Sequence, residues 1–269
     1  MDGVLLVDKP AGVTSHDVVA GIRRELGRGV KVGHAGTLDP FATGLLLILV
    51  GRGTRVQRWL MGQPKTYETV ARLGFTSTTG DPEGELVETG VIPPDPPVLP
   101  TGLITQRPPI YSAIHIDGER AYARARRGEE VVIPEREVTV TRFTQDWRDG
   151  DRAGFTISCS SGTYIRSLIM DLGDAYCVEL RRTSIGSFSV EDARGGVAES
   201  LVPLGDALAA VMPVVRVDAE QARLATHGRV VTVETPEAEH VLLADEDGPI
   251  AVTEPAGPGE RKPVVGFRG

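Results

Sequence analysis

Apolar positions along the chain fall into short, punctuated runs, and their spacing predicts an alternation of strands and helices. "GVLLVDKPAG" is a buried run that ends in a Pro-Gly turn, which predicts a strand. In "TSHDVVAGIRRELG" the apolar residues recur at helical spacing. Thr14 and Asp17 form a capping-box pattern and Gly27 supplies the stop, so a helix is predicted. "ATGLLLILVG" and "GTRVQRWLM" are predicted as two short helical pieces. "KTYETVARLG" alternates and is β-branched, as a strand requires. "TSTTGDPEGE" is predicted as loop, and Val91 to Gly102, with five prolines, as a surface connection.

Further on, "IYSAIHIDGERAYARARRGEE" predicts a strand, a turn at Asp117-Gly118 and a basic helix. "REVTVTRFTQDW" and "RAGFTISCSS" are expected to pair as strands. "SGTYIRSLIMDLGDAY" is expected to be a helix capped near Ser160 or Ser161, and "RRTSIGSFSV" a strand. From Pro213 the texture changes. One helix, "DAEQARLATHG", accompanies the short strands "RVVTVET", "HVLLAD", "PIAVTE" and "KPVVGFR". This predicts two domains, residues 1–212 and a β-rich unit at 213–269.

Composition alters this outline little. Apolar residues make up 41% and charged residues 25%, ordinary values for a globular chain. No apolar run approaches the length of a membrane span, and the N-terminus lacks a basic, cleavable leader. Two cysteines, Cys159 and Cys177, suggest neither a disulfide framework nor a zinc set. A reducing cytoplasm is the expected setting. The net charge is −8, but it is unevenly spread: residues 1–65 carry nine Lys/Arg against five Asp/Glu. Basic residues also cluster at 23–31, 52–58 and 120–127, which would suit a local anion-binding surface.

Candidate chemistry concentrates in "GHAGTLDPFATG", Gly33 to Gly44, a permissive loop with one carboxylate, Asp39. The loop lacks the Gly-Lys-Ser/Thr of a phosphate loop, the GxGxxG of a dinucleotide site and the GxSxG of a hydrolase elbow. His16 and His34 fall on separate elements without zinc spacing, so no metal site is expected. On composition alone, an aspartate before a proline is most simply a turn former.

A wider match changes that reading. "GHAGTLDPFATGLL" resembles the signature loop of the TruB family of pseudouridine synthases, which act on position 55 in the T arm of tRNA. "GVLLVDKPAGVTSHDVV", "KTYETVARLG", "PPIYSAIHIDGERAYARARRGEEV", "CSSGTYIRSLIMDLG" and "LRRTSIGSF" resemble further family motifs in unchanged order, across roughly residues 3–190. The resemblance implies an α/β (α+β) fold: a large, bent, mostly antiparallel sheet flanked by helices, with a small PUA-like RNA-binding domain at the C-terminus. It implies detachment, rotation and reattachment of uracil through C5, without cofactor or metal. Asp39 would be the nucleophile, Tyr67 would stack on the base and help remove the C5 proton, and Arg181 would pair with Asp39. His34 would hold the T loop open, Lys9 and Pro10 would support the site from below, and Gly36, Thr37, Tyr164 and Arg166 complete the implied substrate-binding set. The partner would be tRNA, held at the T arm and through the C-terminal domain at the acceptor stem. A monomer without an obligatory protein partner or membrane contact is expected.

The chain departs from the family pattern in two places. Only "YCVE" separates "DLGDA" from "LRR", which puts Glu179 where an aromatic is usual, and the proline-rich connection is short. Glu179 is therefore expected to turn away from the pocket, toward a nearby arginine. Two alternatives use the same scaffold: a non-catalytic RNA-binding or tRNA-folding protein, and an RNA-guided pseudouridine synthase.

Overall fold

The computed structural model describes residues 1–109, 115–116, 119–120, 127, 129, 133–193, 196 and 200–268. Its main element is a ten-stranded sheet. In chain order the first strands are β1 (Gly3–Lys9), β2 (Val32–His34), β3 (Thr43–Val50) and β4 (Lys65–Leu73). A small hairpin, β5 (Phe75–Ser77) and β6 (Leu86–Glu88), follows, then β7 (Gly102–Gln106) and the two-residue strands β8 (His115–Ile116) and β9 (Glu119–Arg120). Next come the long β10 (Arg136–Asp149), β11 (Arg152–Cys159), β12 (Ala175–Ile185), β13 (Phe188–Ser189) and β14 (Leu201–Pro203). The main sheet runs β14-β1-β3-β12-β4-β11-β10-β7, with β2 added to β3 and β13 to β12. Its pairs are antiparallel except one: β3 and β12 run parallel, with Arg181 opposite Thr43 and Arg182 opposite Gly44. A second, five-stranded sheet contains β15 (Val214–Arg216), β16 (Val231–Thr232), β17 (Val241–Asp245), β18 (Gly248–Gly257) and β19 (Glu260–Gly266). The helix Ala219–Thr226 packs on it.

The expected helix at 43–50 is instead the central strand β3. Its apolar residues are continuous because both faces are covered. Leu45, Leu47 and Leu49 join one core cluster, while Leu46, Ile48 and Val50 pack with Val19 and Ile22 of the helix Ser15–Leu26. A strand buried on both sides loses the alternation that would reveal it. The helix Ser15–Leu26 carries the predicted capping box between Thr14 and Asp17. "GTRVQRWLM" is a 3-10 turn, Gly51–Val56, running into a short helix, Gln57–Met61. The helix expected over 161–176 is only Ile165–Met170. Ser160 does not cap it, because its hydroxyl accepts the Thr139 N–H at 2.9 Å. The strand expected over "RRTSIGSFSV" is split: its first half ends β12, which begins earlier, at Ala175, and stops at Ile185, and after a turn Phe188–Ser189 form β13. The strand, turn and basic helix expected over 110–130 lie largely outside the described residues.

The two sheets share a core. Leu242, Val252 and Phe267 from the second sheet and its end pack in one cluster with Val4, Leu6, Leu45, Leu47 and Leu208. Arg52 and Arg55 reinforce that seat by donating to the carbonyls of Phe267 and Gly266.

Gly44 fixes where the two halves of the main sheet join. It sits at φ +102°, and an added Cβ would clash with the carbonyl oxygen of Arg182 and lie 2.7 Å from its nitrogen. Both the left-handed conformation and the close approach require glycine. Gly44→Ala is expected to destabilise the fold by roughly 3 kcal/mol and to lower Tm by about 5–10 °C. An unchanged melting curve would show that this parallel pair is dispensable.

Candidate active site

The loop between β2 and β3 is held from below by the start of the chain. Leu38 exchanges two hydrogen bonds with Ser15: its N–H donates to Oγ at 2.9 Å, and its carbonyl accepts from Oγ at 3.2 Å. Lys9 is fully buried and donates Nζ to the carbonyls of Pro10 and Val13, both at 2.9 Å, and of Pro40 at 3.3 Å. The Gly12 N–H donates to the Pro40 carbonyl at 2.8 Å. This buttress fixes the backbone on both sides of Asp39. Burial lowers the Lys9 pKa, and the Asp39 carboxylate opposes that shift.

Asp39 itself is 31% exposed, and its carboxylate lies 2.9 Å from the Nε of Arg166. Arg166 is almost fully buried, and it also reaches Asp81 at 3.1 Å and the carbonyl of Thr79 at 2.6 Å. Asp81 is itself buried and is fixed by the Thr79 hydroxyl and the Glu83 N–H. One guanidinium thus serves two carboxylates. The Asp39 pKa is raised, chiefly by burial. Arg166 opposes the shift, the like charge of Asp81 adds to it, and Lys9 opposes it more weakly.

The expected pairing of Arg181 with Asp39 does not occur. Arg181 makes a two-point ion pair with Asp8, at 3.0 and 2.7 Å, and both partners are over a third exposed. The cause is strand parity, since adjacent residues of β12 point to opposite faces. Arg182 lies opposite Tyr67 of β4 and faces the Asp39 side, whereas Arg181 lies opposite Glu68 and faces away. A bulge between Cys177 and Glu179 helps set this parity. Glu179 is exposed, as expected, and with Arg181 lines a separate cavity of about 580 Å³ on the other face.

A cleft of about 410 Å³ opens over Asp39. One wall is Tyr67, Leu180 and Arg182, with Lys65 beside them. The buried Arg182 guanidinium donates to the carbonyls of Leu45 at 2.7 Å and Gly36 at 3.1 Å, so it ties the loop to β3. Burial raises the Tyr67 pKa, while the charge and hydrogen bond of Arg182 oppose that shift. Lys65 is pulled down to about 8, mainly by burial and then by Arg182, and its Nζ donates to the carbonyls of Met61 and Gln63. The facing wall is Tyr164, with the Arg136 guanidinium 4.8 Å from its ring centre. Buried Gln106 clamps the Tyr164 backbone by two hydrogen bonds, at 2.8 and 2.9 Å.

Of the residues singled out from sequence, Asp39, Tyr67, Gly36, Thr37, Tyr164 and Arg166 line this cleft. Lys9 and Pro10 lie beneath the loop, and Arg181 lies on the opposite face. His34 sits at the end of β2, edge-on to His16 at 5.4 Å, and does not line the cleft. Asp81, Lys65, Gln106 and Arg136 were not singled out, and Arg58 was singled out only within the basic cluster at 52–58. Asp81 was hidden in a segment, "TTGDPEG", whose composition signals only a turn.

The sequence matches the model of the TruB family pseudouridylate synthase N-terminal domain over residues 23–165. It is 42% identical to the tRNA pseudouridine synthase B of Thermobifida fusca, with 100% of this chain and 99% of that protein covered. It is 44% identical to the protein of the same name from Corynebacterium aurimucosum, over 84% of this chain and 83% of that one. Among solved structures it is similar to a chain of a Cbf5-Nop10-Gar1 complex, with a TM-score of 0.69 and 26% identity, over 94% of this chain and 78% of that chain. A carboxylate on a buttressed loop, set over a tyrosine-lined cleft in a largely antiparallel sheet, is therefore found in a chain that belongs to the TruB family of pseudouridylate synthases.

Proposed function

We propose that this protein isomerises uridine to pseudouridine in tRNA, at position 55 of the T loop, with Asp39 as nucleophile. The observation that carries this reading is the partly exposed Asp39 carboxylate held against buried Arg166 in the cleft. The reaction breaks the bond from ribose C1′ to N1 and forms one from C1′ to C5. The C5 proton leaves and N1 gains one, so atoms and electrons balance without a co-reactant. An ionised carboxylate needs no base to activate it, and Arg166 fixes its direction. Tyr67, on the cleft wall, supplies a face for the flipped uracil, which offsets part of the unstacking cost of roughly a few kcal/mol. Arg182 beside its phenol opposes the rise that burial imposes on the Tyr67 pKa, so it favours the phenolate that accepts the C5 proton and becomes the neutral phenol.

The 213–269 unit is read as a PUA-like domain that meets the acceptor stem, in a monomer working in the cytoplasm. The curated relatives, whose name is tRNA pseudouridine synthase B, support a tRNA substrate over the RNA-guided reading. The assembled Asp39–Arg166–Tyr67 geometry favours catalysis over RNA binding alone.

Three outcomes test this reading. Asp39→Asn is expected to abolish turnover while leaving tRNA affinity within about tenfold, ~1.4 kcal/mol. Tritium release from C5-labelled tRNA measures the first and filter binding the second, and multiple turnover by this variant would remove Asp39 from the nucleophile's role.

Arg166→Lys breaks a buried pairing and is expected to cost far more in single-turnover rate than Arg181→Ala. The latter loses only a surface pair worth about 0–1 kcal/mol. The reverse order would put the essential arginine on the wrong face.

The rate should also fall on the acid side. A raised Asp39 pKa means the carboxylate is protonated, and activity lost, at a higher pH than for an ordinary aspartate. Asp81→Asn removes the like charge and frees Arg166 for Asp39, so the acid limb should move to lower pH. A limb that stays or rises would break the link between Asp81 and the nucleophile.

A further inference from the structure

Arg58 lines the cleft from the short helix Gln57–Met61, and its guanidinium is exposed. Among the described residues no carboxylate pairs with it. What fixes it is a ring: its guanidinium carbon lies 4.1 Å from the centre of the Trp59 indole. Trp59 is half-buried and packs against the core cluster shared by the two sheets. Its indole N–H is buried with no hydrogen-bond acceptor among the described residues, so packing sets the ring's position. On that ring stands His240, edge-on at 5.3 Å with an interplanar angle of 75°. His240 immediately precedes β17 of the second sheet, and its side chain is 18% exposed.

We infer that His240 is a positioning residue that reaches the cleft from the second sheet, by holding the Trp59 indole on which Arg58 is aimed toward a phosphate of the bound RNA. The inference rests on the proposed RNA substrate. The C-terminal unit then does more than touch RNA: it sets a charge at the rim of the catalytic cleft. A guanidinium on an aromatic face keeps its charge while losing freedom, so less entropy is lost when it meets a phosphate.

The test uses the full chain with two RNAs: unmodified tRNA, and a hairpin of the T stem and loop that lacks the acceptor stem. His240→Ala is expected to weaken binding of both RNAs equally, by roughly three- to fivefold, the scale of one exposed cation–π contact. The single-turnover rate at saturating RNA should be unchanged. His240→Phe, which retains a ring edge, should restore affinity. Trp59→Leu should reproduce the loss, and His240→Ala should add nothing in an Arg58→Ala background. A loss confined to full-length tRNA would mean that His240 contacts RNA itself, which overturns the inference. So would additive losses with Arg58→Ala, or a fall in saturating rate together with Tm. A wild-type protein that binds the hairpin but converts neither RNA would overturn the proposed reaction instead, while the affinity comparison still decides the role of His240.

Discussion

A single buried cation, the guanidinium of Arg166, holds the active site together. It lies between Asp81, which is buried, and Asp39, which is partly exposed. A buried charge is tolerated only when paired and hydrogen-bonded, and Asp81 with the Thr79 carbonyl meets that need. Asp39 is then left as the second anion on a cation already engaged. Its charge is oriented without being fully neutralised, which suits the nucleophile's role proposed for it. The rest of the cleft follows from holding this arrangement in place: the Lys9 and Ser15 buttress under the loop, the Arg182 tie to Gly36 and Leu45, and the Gln106 clamp on the backbone just before Arg166.

The sheet supplies the frame, and its one parallel pair is where the frame meets the chemistry. β3 and β12 pair in register at two positions, and Gly44 opposite Arg182 is one of them. That contact brings the end of the Asp39 loop next to the strand carrying Leu180 and Arg182. The same strand carries Arg181 and Glu179 on its other face, so a one-residue change of register would swap the two arginines between faces. The bulge at Glu179 matters for this reason. The shortened "YCVE" segment is itself part of β12, and the bulge within it leaves the carboxylate outside the pocket, where it does not raise the Asp39 pKa further.

Much of this was legible in the sequence, and the exceptions have physical causes. The capping box of Ser15–Leu26, the alternation of β4 and the β10–β11 pairing rest on local signals, and local reading reached them. β3 was misread because burial on both faces erases periodicity. Asp39, Tyr67 and the loop glycines lie within contiguous motifs. The partner of Asp39 does not: Arg166 and Arg181 both stand in arginine-bearing motifs, the pairing of β12 with β4 turns Arg181 away, and the seating of the helix Ile165–Met170 is what brings Arg166 to Asp39. Asp81 is further from reach, because a turn-forming aspartate and a buried counter-ion look identical in a string of letters.

The arginine clusters carry a related lesson about charge. Read as a string, Arg52, Arg55 and Arg58 form one basic patch for an anionic partner. In the fold they divide. Arg52 and Arg55 donate to carbonyls at the chain's end and fasten the second sheet to the first. Arg58, three residues on, lies on Trp59 and faces the cleft. The segment that anchors the C-terminal unit therefore also carries a cation into the catalytic cleft. In a chain with net charge −8, affinity for RNA depends less on how many cations there are than on which ones the fold leaves unspent. Seating the second sheet occupies two guanidiniums of this cluster and leaves the third, Arg58, lining the cleft.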